Sequence, residues 1–350
     1  MIIALWFDIL ESQNFCGGKK ISEYFLKAKK KIIGRICDAV KNRKNIKFTI
    51  GILQNDNPEY FLIGENGIED FRQYHYEIGS ITKIFTGLLI SKAAINGDID
   101  INLPISEYLD ELGDTKHLPT IKQILTHTSG FEYDPDDTDG EDILPKINPF
   151  IDVKKEQVID EINEMNLEDI EYPFCYSNIG AATIGIILES IYGKPYCYLL
   201  DDFIAEIGLG NTYTLNPPYD IEGVRPNGAK DGHWEWKEYS SYNAAGCLVS
   251  TAEDMLKFGK LLLDRKKTYT EQALTPLSSH NNGDKIRNTG FFILSYPKDN
   301  IFYHDGGTGC FNSVLSVNSK SNIVMVCLSN SYMDIIDQSL QFTKQLSGQL

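Results

Sequence analysis

Ser80 and Lys83 stand three residues apart in the stretch FRQYHYEIGSITKIFTGLLISKAAING, residues 71–97. Behind Lys83 the apolar residues Ile84, Phe85, Leu88, Leu89 and Ile95 recur at helical spacing, and Gly97 supplies a stop. The pattern predicts a helix that begins near Ser80, and residues three apart on a helix share a face. A hydroxyl is a poor nucleophile at neutral pH. A lysine activates it when burial disfavours the ammonium form. A serine at a helix start also has free backbone N–H groups and the positive dipole end beside it, which suit an acyl oxyanion. Taken alone, the same spacing describes a serine N-cap followed by a solvated lysine.

The 350 residues allow one large domain or two interleaved ones, and a hydrophobic content of 42% is enough for a sizeable core. A formal net charge of −16 argues against nucleic acid or an anionic membrane as the main partner. Seven cysteines, at 16, 37, 175, 197, 247, 310 and 327, form no Cys-x-x-Cys pair. Scattered and odd in number, they read as reduced, mostly buried thiols of a cytoplasmic protein. The first residues, MIIALWFDILES, lack a basic region and their apolar run stops at Asp8. The expectation is therefore no signal peptide and no span of about 20 apolar residues.

The elements that must position Ser80 are legible in outline. Residues 19–42 read as a basic amphipathic helix with Ile21, Phe25, Ile32, Ile33, Ile36 and Val40 on its buried side. Asn45–Leu53 and Tyr60–Gly64 read as strands joined by a turn at Gln54–Pro58. Two short helical pieces fall within 98–125, and helices are expected over Val153–Asn166, Ile179–Tyr192 and Ser250–Leu263. For the last of these, Ser250 or Thr251 is the N-cap. Loop-rich residues 210–243 end among Trp234, Trp236, Tyr239 and Tyr242, which line a pocket or cover the core. Gly290–Tyr296, Ile301–Tyr303, Phe311–Val317 and Ile323–Leu328 are strand-like, and Met333–Leu346 is a closing helix. Aligned on Gly140 as the sharp turn, a calcium loop would place its first ligand at Pro135 and its twelfth at Lys146. The acidic run 132–147 reads instead as a solvated loop. Strands at both ends with helices between suggest an α/β domain built from both termini around a helical insertion.

Five segments in order, YEIGSITKIFTGLLI (76–90), LPTIKQILTHTSGF (118–131), YSNIGAATIGIILE (176–189), AAGCLVSTAEDMLKFGKLLL (244–263) and HDGGTGCF (304–311), carry a family resemblance. The chain resembles the serine β-lactamase-related family: class C β-lactamases and penicillin-binding-protein-like serine hydrolases. The resemblance implies an α/β (α+β) β-lactamase/transpeptidase-like fold, an antiparallel sheet flanked by helices with an inserted, mostly helical region. The implied division is 1–44 as an N-terminal segment and helix, 45–79 plus 245–350 as the sheet domain, and 80–244 as the helical region, with the site at the interface. It also implies roles. Ser80 is the nucleophile of Ser-x-x-Lys, and Lys83 takes or relays its proton. Tyr176 of Tyr-x-Asn is the base in acylation and the acid toward the leaving group, and Asn178 binds Lys83 and the substrate amide. His304 of His-x-Gly binds substrate or shares the Tyr176 proton network. Gly306 and Gly307 admit a substrate backbone, and the Gly307 N–H joins that of Ser80 around the oxyanion. His127 and Thr128 are expected to tie a loop near the cleft. Cys247 stands where relatives usually have glycine, expected as a neutral packing change.

No cofactor and no metal are expected, since His233, His280 and His304 lack neighbouring ligands at useful spacing. The expected function is a serine hydrolase acting on a small ester or a D-residue-containing peptide through a Ser80 acyl-enzyme. Its partner is a small-molecule or short-peptide substrate. Alternatives are an acyltransferase or peptide cyclase on the same site, a true β-lactamase, and a non-catalytic ligand-binding relative. His304 in place of a lysine weakens the β-lactamase alternative.

Overall fold

The computed structural model describes residues 23–113, 117–131, 147–333 and 336–346. Readings that fall on residues 1–22, including Ile21, and on the acidic loop 132–146 lie outside the described residues.

Strands from both ends of the chain meet in one sheet. β1 (Phe48–Gln54) and β2 (Asn57–Gly64) form a hairpin closed at Gln54 and Asn57. Its turn is shorter than the sequence suggests: only Asn55 (φ 49°) and Asp56 (φ 67°). Two left-handed residues match the twist of the flanking strands, and Asn and Asp tolerate that backbone. β3 (Gly67–Glu69) extends the hairpin. β1 then pairs antiparallel with the last strand, β13 (Ile323–Ser329), joining termini some 275 residues apart in register from Phe48 and Ser329 to Gln54 and Ile323. The order β3-β2-β1-β13-β12-β11-β10-β9-β8 makes a nine-stranded sheet. Its further strands are β8 (Ser278–Asn282), β9 (Lys285–Thr289), β10 (Leu294–Tyr296), β11 (Ile301–Gly307) and β12 (Asn312–Asn318). Between β3 and β8, β4 (Tyr76–Glu77) pairs with β7 (Val249–Ser250), and β5 (Gly223–Val224) with β6 (Lys230–Gly232), outside this sheet.

Helices cover both faces of the sheet. α1 (Glu23–Val40) buries Phe25, Ile32, Ile33, Ile36 and Val40 on Ile50, Ile52, Phe61 and Met325. The closing helix spans Ile336–Leu346 and adds Phe342 to that layer. On the other face lie α2 (Thr82–Asn96) and α8 (Ala252–Asp264). Phe85 of α2 stacks on Phe258 of α8 with ring centres 3.8 Å apart, a pair worth about 0.5–1.5 kcal/mol beyond its buried area. One hydrophobic cluster runs from Leu315 and Val324 of the sheet through Phe258 to Ile184 and Leu200 of the inserted helices. Those helices include α3 (Ile121–Leu125), α4 (Lys155–Glu164), α5 (Asn178–Tyr192), α6 (Tyr196–Glu206) and the short α7 (Asn243–Gly246).

Three expectations need correction. Ile95 follows the helical spacing but is 46% exposed, because the last turn of α2 leaves the core before Gly97. The strand expected over Gly290–Tyr296 is only Leu294–Tyr296. Gly290–Ile293 is a turn, closed by the Gly290 N–H on Ile293 O, with Phe292 left-handed. The strand expected to stop at Tyr303 continues through Gly307. Among the described residues no helix is long and apolar enough to cross a membrane.

Candidate active site

Ser80 lies in a single 3-10 turn, Gly79–Ile81, that leads directly into α2. The turn is held from two sides. The Ile78 N–H donates to Leu248 O (2.9 Å), and the Ser313 hydroxyl of β12 donates to Ile78 O (2.8 Å). Ser80 makes no side-chain cap bond and is half-buried, so its hydroxyl is not consumed as an N-cap.

Lys83, one turn on, is fully buried rather than solvated. A buried ammonium is tolerable only when its donors are met. The amine donates to Ser80 Oγ (3.0 Å), Asn178 Oδ1 (2.6 Å) and the carbonyl of Ala245 (2.9 Å). Each acceptor comes from a different stretch. Asn178 is the first residue of α5 because Ser177 before it caps that helix, accepting the Gly180 N–H (3.1 Å). The cap thereby turns Asn178 toward Lys83 and leaves Tyr176 outside the helix. Ala245 lies in α7, whose small residues let the segment close on α5: a Cβ on Gly185 would stand 2.7 Å from the Cβ of Ala244. The Ala245 carbonyl is the partner that sequence reasoning missed. The Ala-Ala-Gly run that permits its approach was the available signal.

Tyr176 completes the group. The Lys83 amine lies 4.9 Å from its ring centre, and the rings of His127 and His304 lie 4.7 and 6.0 Å away. His304, on β11, is buried, and its Nδ1 lies 2.6 Å from the carbonyl of Asp305. A carbonyl only accepts, so Nδ1 carries the proton and Nε2 is left as an acceptor, which has no partner among the described residues. Burial, then the Lys83 charge, pulls the His304 pKa down to about 3, so the imidazole is neutral. The Asp305 carboxyl is pushed above the usual carboxylate range by burial, with Arg287 and Lys83 opposing.

β11 reaches the serine because it has no side chains in the way. A Cβ on Gly306 would fall 2.0 Å from Ile78 O and 2.8 Å from the amide nitrogen of Ser80. A Cβ on Gly79, itself left-handed (φ 47°), would fall 2.8 Å from the amide nitrogen of Gly307. The backbones of Gly79–Ser80 and Gly306–Gly307 therefore lie directly against each other. The pairing of β10 with β11 ends at Tyr303, so residues 304–307 run on beside Ser80 with no strand on that side.

The structure thus brings Ser80, Lys83, Tyr176, Asn178, His304, Gly306 and Gly307 together. His127 and Thr128 tie the adjoining loop: their carbonyls accept the N–H groups of Cys175 (2.8 Å) and Tyr172 (3.1 Å). Cys247 is buried beside Cys197, and burial raises its thiol pKa well above the ordinary value. The aromatic loop divides between the two readings except at Tyr239, which is 51% exposed with its hydroxyl on Asp152. Tyr242 is in the core, while Trp234, Trp236 and Tyr219 line a cavity of about 220 Å³. The Trp236 ring edge lies 3.6 Å from where a Gly246 Cβ would stand.

The Beta-lactamase family profile matches residues 72–335. Protein flp of Staphylococcus aureus (strain MW2) is 28% identical over 277 residues, covering 73% of this chain and 52% of the relative. The putative penicillin-binding protein PbpX of Bacillus subtilis (strain 168) is 24% identical over 269 residues, 73% of this chain and 62% of its own. The chain thus spans about half the length of the flp relatives it matches. Among solved structures, the β-lactamase/D-alanine carboxypeptidase of Pseudomonas syringae aligns with a TM-score of 0.71 at 15% identity, over 92% of this chain and 97% of that one. At that identity the alignment speaks for the β-lactamase/transpeptidase-like fold, and the profile match, covering most of the chain, speaks for the family. The chain belongs to the Beta-lactamase family.

Proposed function

We propose that the protein is a serine hydrolase that cleaves an ester or amide through an acyl-enzyme on Ser80. The observation that carries this is the buried Lys83 amine, 3.0 Å from Ser80 Oγ and fixed by two further acceptors. Ser80 Oγ attacks the substrate carbonyl while its proton passes to the Lys83–Tyr176 pair. The carbonyl oxygen gains the electron pair and accepts from the N–H groups of Ser80 and Gly307. Tyr176 protonates the leaving group as its bond to the acyl carbon breaks. Asn178 holds Lys83 in place and receives the substrate amide. Water then adds to the acyl carbon, and the acid leaves as Ser80 regains its proton.

A neutral His304 offers no cation at its motif position to a substrate carboxylate, which favours small esters, and D-residue peptides with no free carboxylate beside the scissile bond, over β-lactams. The fold is shared with a protein described as a β-lactamase/D-alanine carboxypeptidase, which keeps D-residue peptides beside esters as candidate substrates without favouring them over β-lactams.

The test is intact mass spectrometry after exposure to a fluorophosphonate, a penicillin and p-nitrophenyl esters, with Ser80→Ala alongside. A single adduct, or ester turnover, that disappears in Ser80→Ala is the expected result. Folded protein that takes no adduct from any probe would move the assignment to a ligand-binding relative. Adding an amine or alcohol nucleophile and analysing the products separates hydrolysis from acyl transfer.

A further inference from the structure

Ten non-glycine residues of the described chain have positive φ. Seven are Asn or Asp, and Arg265 is the C-cap of α8. That leaves His127 and Phe292, both at φ 58°, with rings 5.2 Å apart beside Tyr176. Histidine adopts this backbone more readily than phenylalanine does, and each keeps it where its surroundings fix it. At His127 two bonds do so. Its carbonyl accepts the Cys175 N–H (2.8 Å) and its Nδ1 accepts the Ser177 N–H (3.2 Å). These are the residues on either side of Tyr176. The His127 ring itself lies 4.7 Å from the Tyr176 ring.

We propose that His127 is a positioning residue for Tyr176: it grips both peptide neighbours of the tyrosine and packs on its ring, fixing the phenol beside the Lys83–Ser80 pair. This rests on the proposed role of Tyr176 in moving the Ser80 proton. A ring nitrogen that accepts a hydrogen bond carries no proton, so the grip on Ser177 requires neutral imidazole protonated on Nε2. The surroundings keep the ring neutral, and the Ser177 N–H on Nδ1 selects the tautomer. His127 is fully buried and faces the Lys83 charge from α2, His304 from β11, and Arg287 and His280 from β9 and β8. Burial and those neighbours hold its pKa well below the ordinary histidine value. Protonation would turn the Nδ1 acceptor into a donor facing the Ser177 N–H.

The experiment compares rates of Ser80 adduct formation with p-nitrophenyl acetate in wild type, His127→Gly, His127→Asn, Tyr176→Phe and His127→Gly/Tyr176→Phe, with thermal melts of each. Glycine adopts the left-handed backbone without strain but removes the acceptor and the ring. Asparagine also tolerates that backbone and offers an amide oxygen near the place of Nδ1. His127→Gly is expected to slow acylation about 10²-fold, the effect of roughly 1 Å of misplacement. His127→Asn should recover a large part of that loss. In the Tyr176→Phe background His127→Gly should cost almost nothing more, because its effect passes through the phenol. Equal losses in the two backgrounds, or an asparagine variant no better than glycine, would overturn the inference. If His127→Gly proves unfolded, His127→Asn in the two backgrounds carries the same test. Wild type that labels, with His127→Gly labelling equally fast, removes this inference and leaves the hydrolase reading standing. Folded wild type that neither turns over p-nitrophenyl acetate nor takes an adduct from the fluorophosphonate or the penicillin removes both.

Discussion

Substituting Gly306 by alanine tests whether the bare backbone of β11 sets the oxyanion geometry. The added Cβ would stand 2.0 Å from Ile78 O, where real contacts are essentially never under 3.0 Å. About 1 Å must therefore be made up by movement. Neither side yields easily. Ile78 O is held by the Ser313 hydroxyl, and Gly306 is paired with Ser313 in the β11–β12 ladder. Movement would draw the Gly307 amide away from that of Ser80. Loss of one oxyanion donor lowers kcat by about 10²–10³-fold, or about 2.7–4 kcal/mol of barrier. Overpacking lowers stability by about 1–3 kcal/mol. The assay is p-nitrophenyl acetate turnover, with fluorophosphonate labelling of Ser80 and a thermal melt on the same sample. The expectation is a folded protein with a modestly lower Tm, a large fall in kcat and a smaller change in KM. A folded Gly306→Ala protein that acylates within about twofold of wild type would refute the geometry argued for the two amides.

Lys83→Met should abolish labelling of Ser80 and destabilise the protein, since Asn178 Oδ1 and Ala245 O each lose a buried donor at about 1–3 kcal/mol apiece; labelling kinetics and urea titration read both effects. His304 supplies a pH dependence of stability. Its folded pKa is about 3 and its unfolded value about 6.5, so between those values the unfolded chain binds the extra proton and stability falls on acidification. Urea titrations from pH 7 to 4 should show His304→Gln losing less stability than wild type, by up to about 1.4 kcal/mol per pH unit; parallel curves would refute it. Gly259→Ala would place a Cβ 2.2 Å from Val324 Cγ1, wedging α8 off the sheet. A loss of about 1–3 kcal/mol is expected in denaturant titrations, with the active-site segments untouched.

What the sequence reveals here is what is local. Ser80 and Lys83 meet because three residues make most of a helical turn. Ser177 and Asn178 are placed by an N-cap readable in Tyr-Ser-Asn, and Thr251 caps α8 as the Ser-Thr-Ala-Glu-Asp run suggests, accepting the Asp254 N–H. The long-range partners are harder to see. The Ala-Ala-Gly run marks a close approach at Ala245 but not which group it meets, and the lysine is 162 residues away. The β8–β9 hairpin escapes detection because Ser278–Asn282 and Lys285–Ile286 bury little, so polar and apolar residues do not alternate. Its one signal is Asn282-Gly283, with Gly283 left-handed in the turn. The end of β11 is misread for the opposite reason. Gly306 and Gly307 look like a break in a strand, but they are where the strand must be bare to touch Ser80.

The three acceptors around the Lys83 amine have a consequence for how the protein can be handled. They lie 3, 95 and 162 residues from Lys83, in the turn before α2, on α5 and on α7, so the amine is seated only when these parts have assembled. A chain that has lost any one of these dockings keeps its serine but lacks the arrangement proposed to activate it. Covalent labelling at Ser80 would then count correctly folded molecules. The labelled fraction of a preparation would measure native content, and its decline during storage would time the first loss of docking, ahead of any change in helix content.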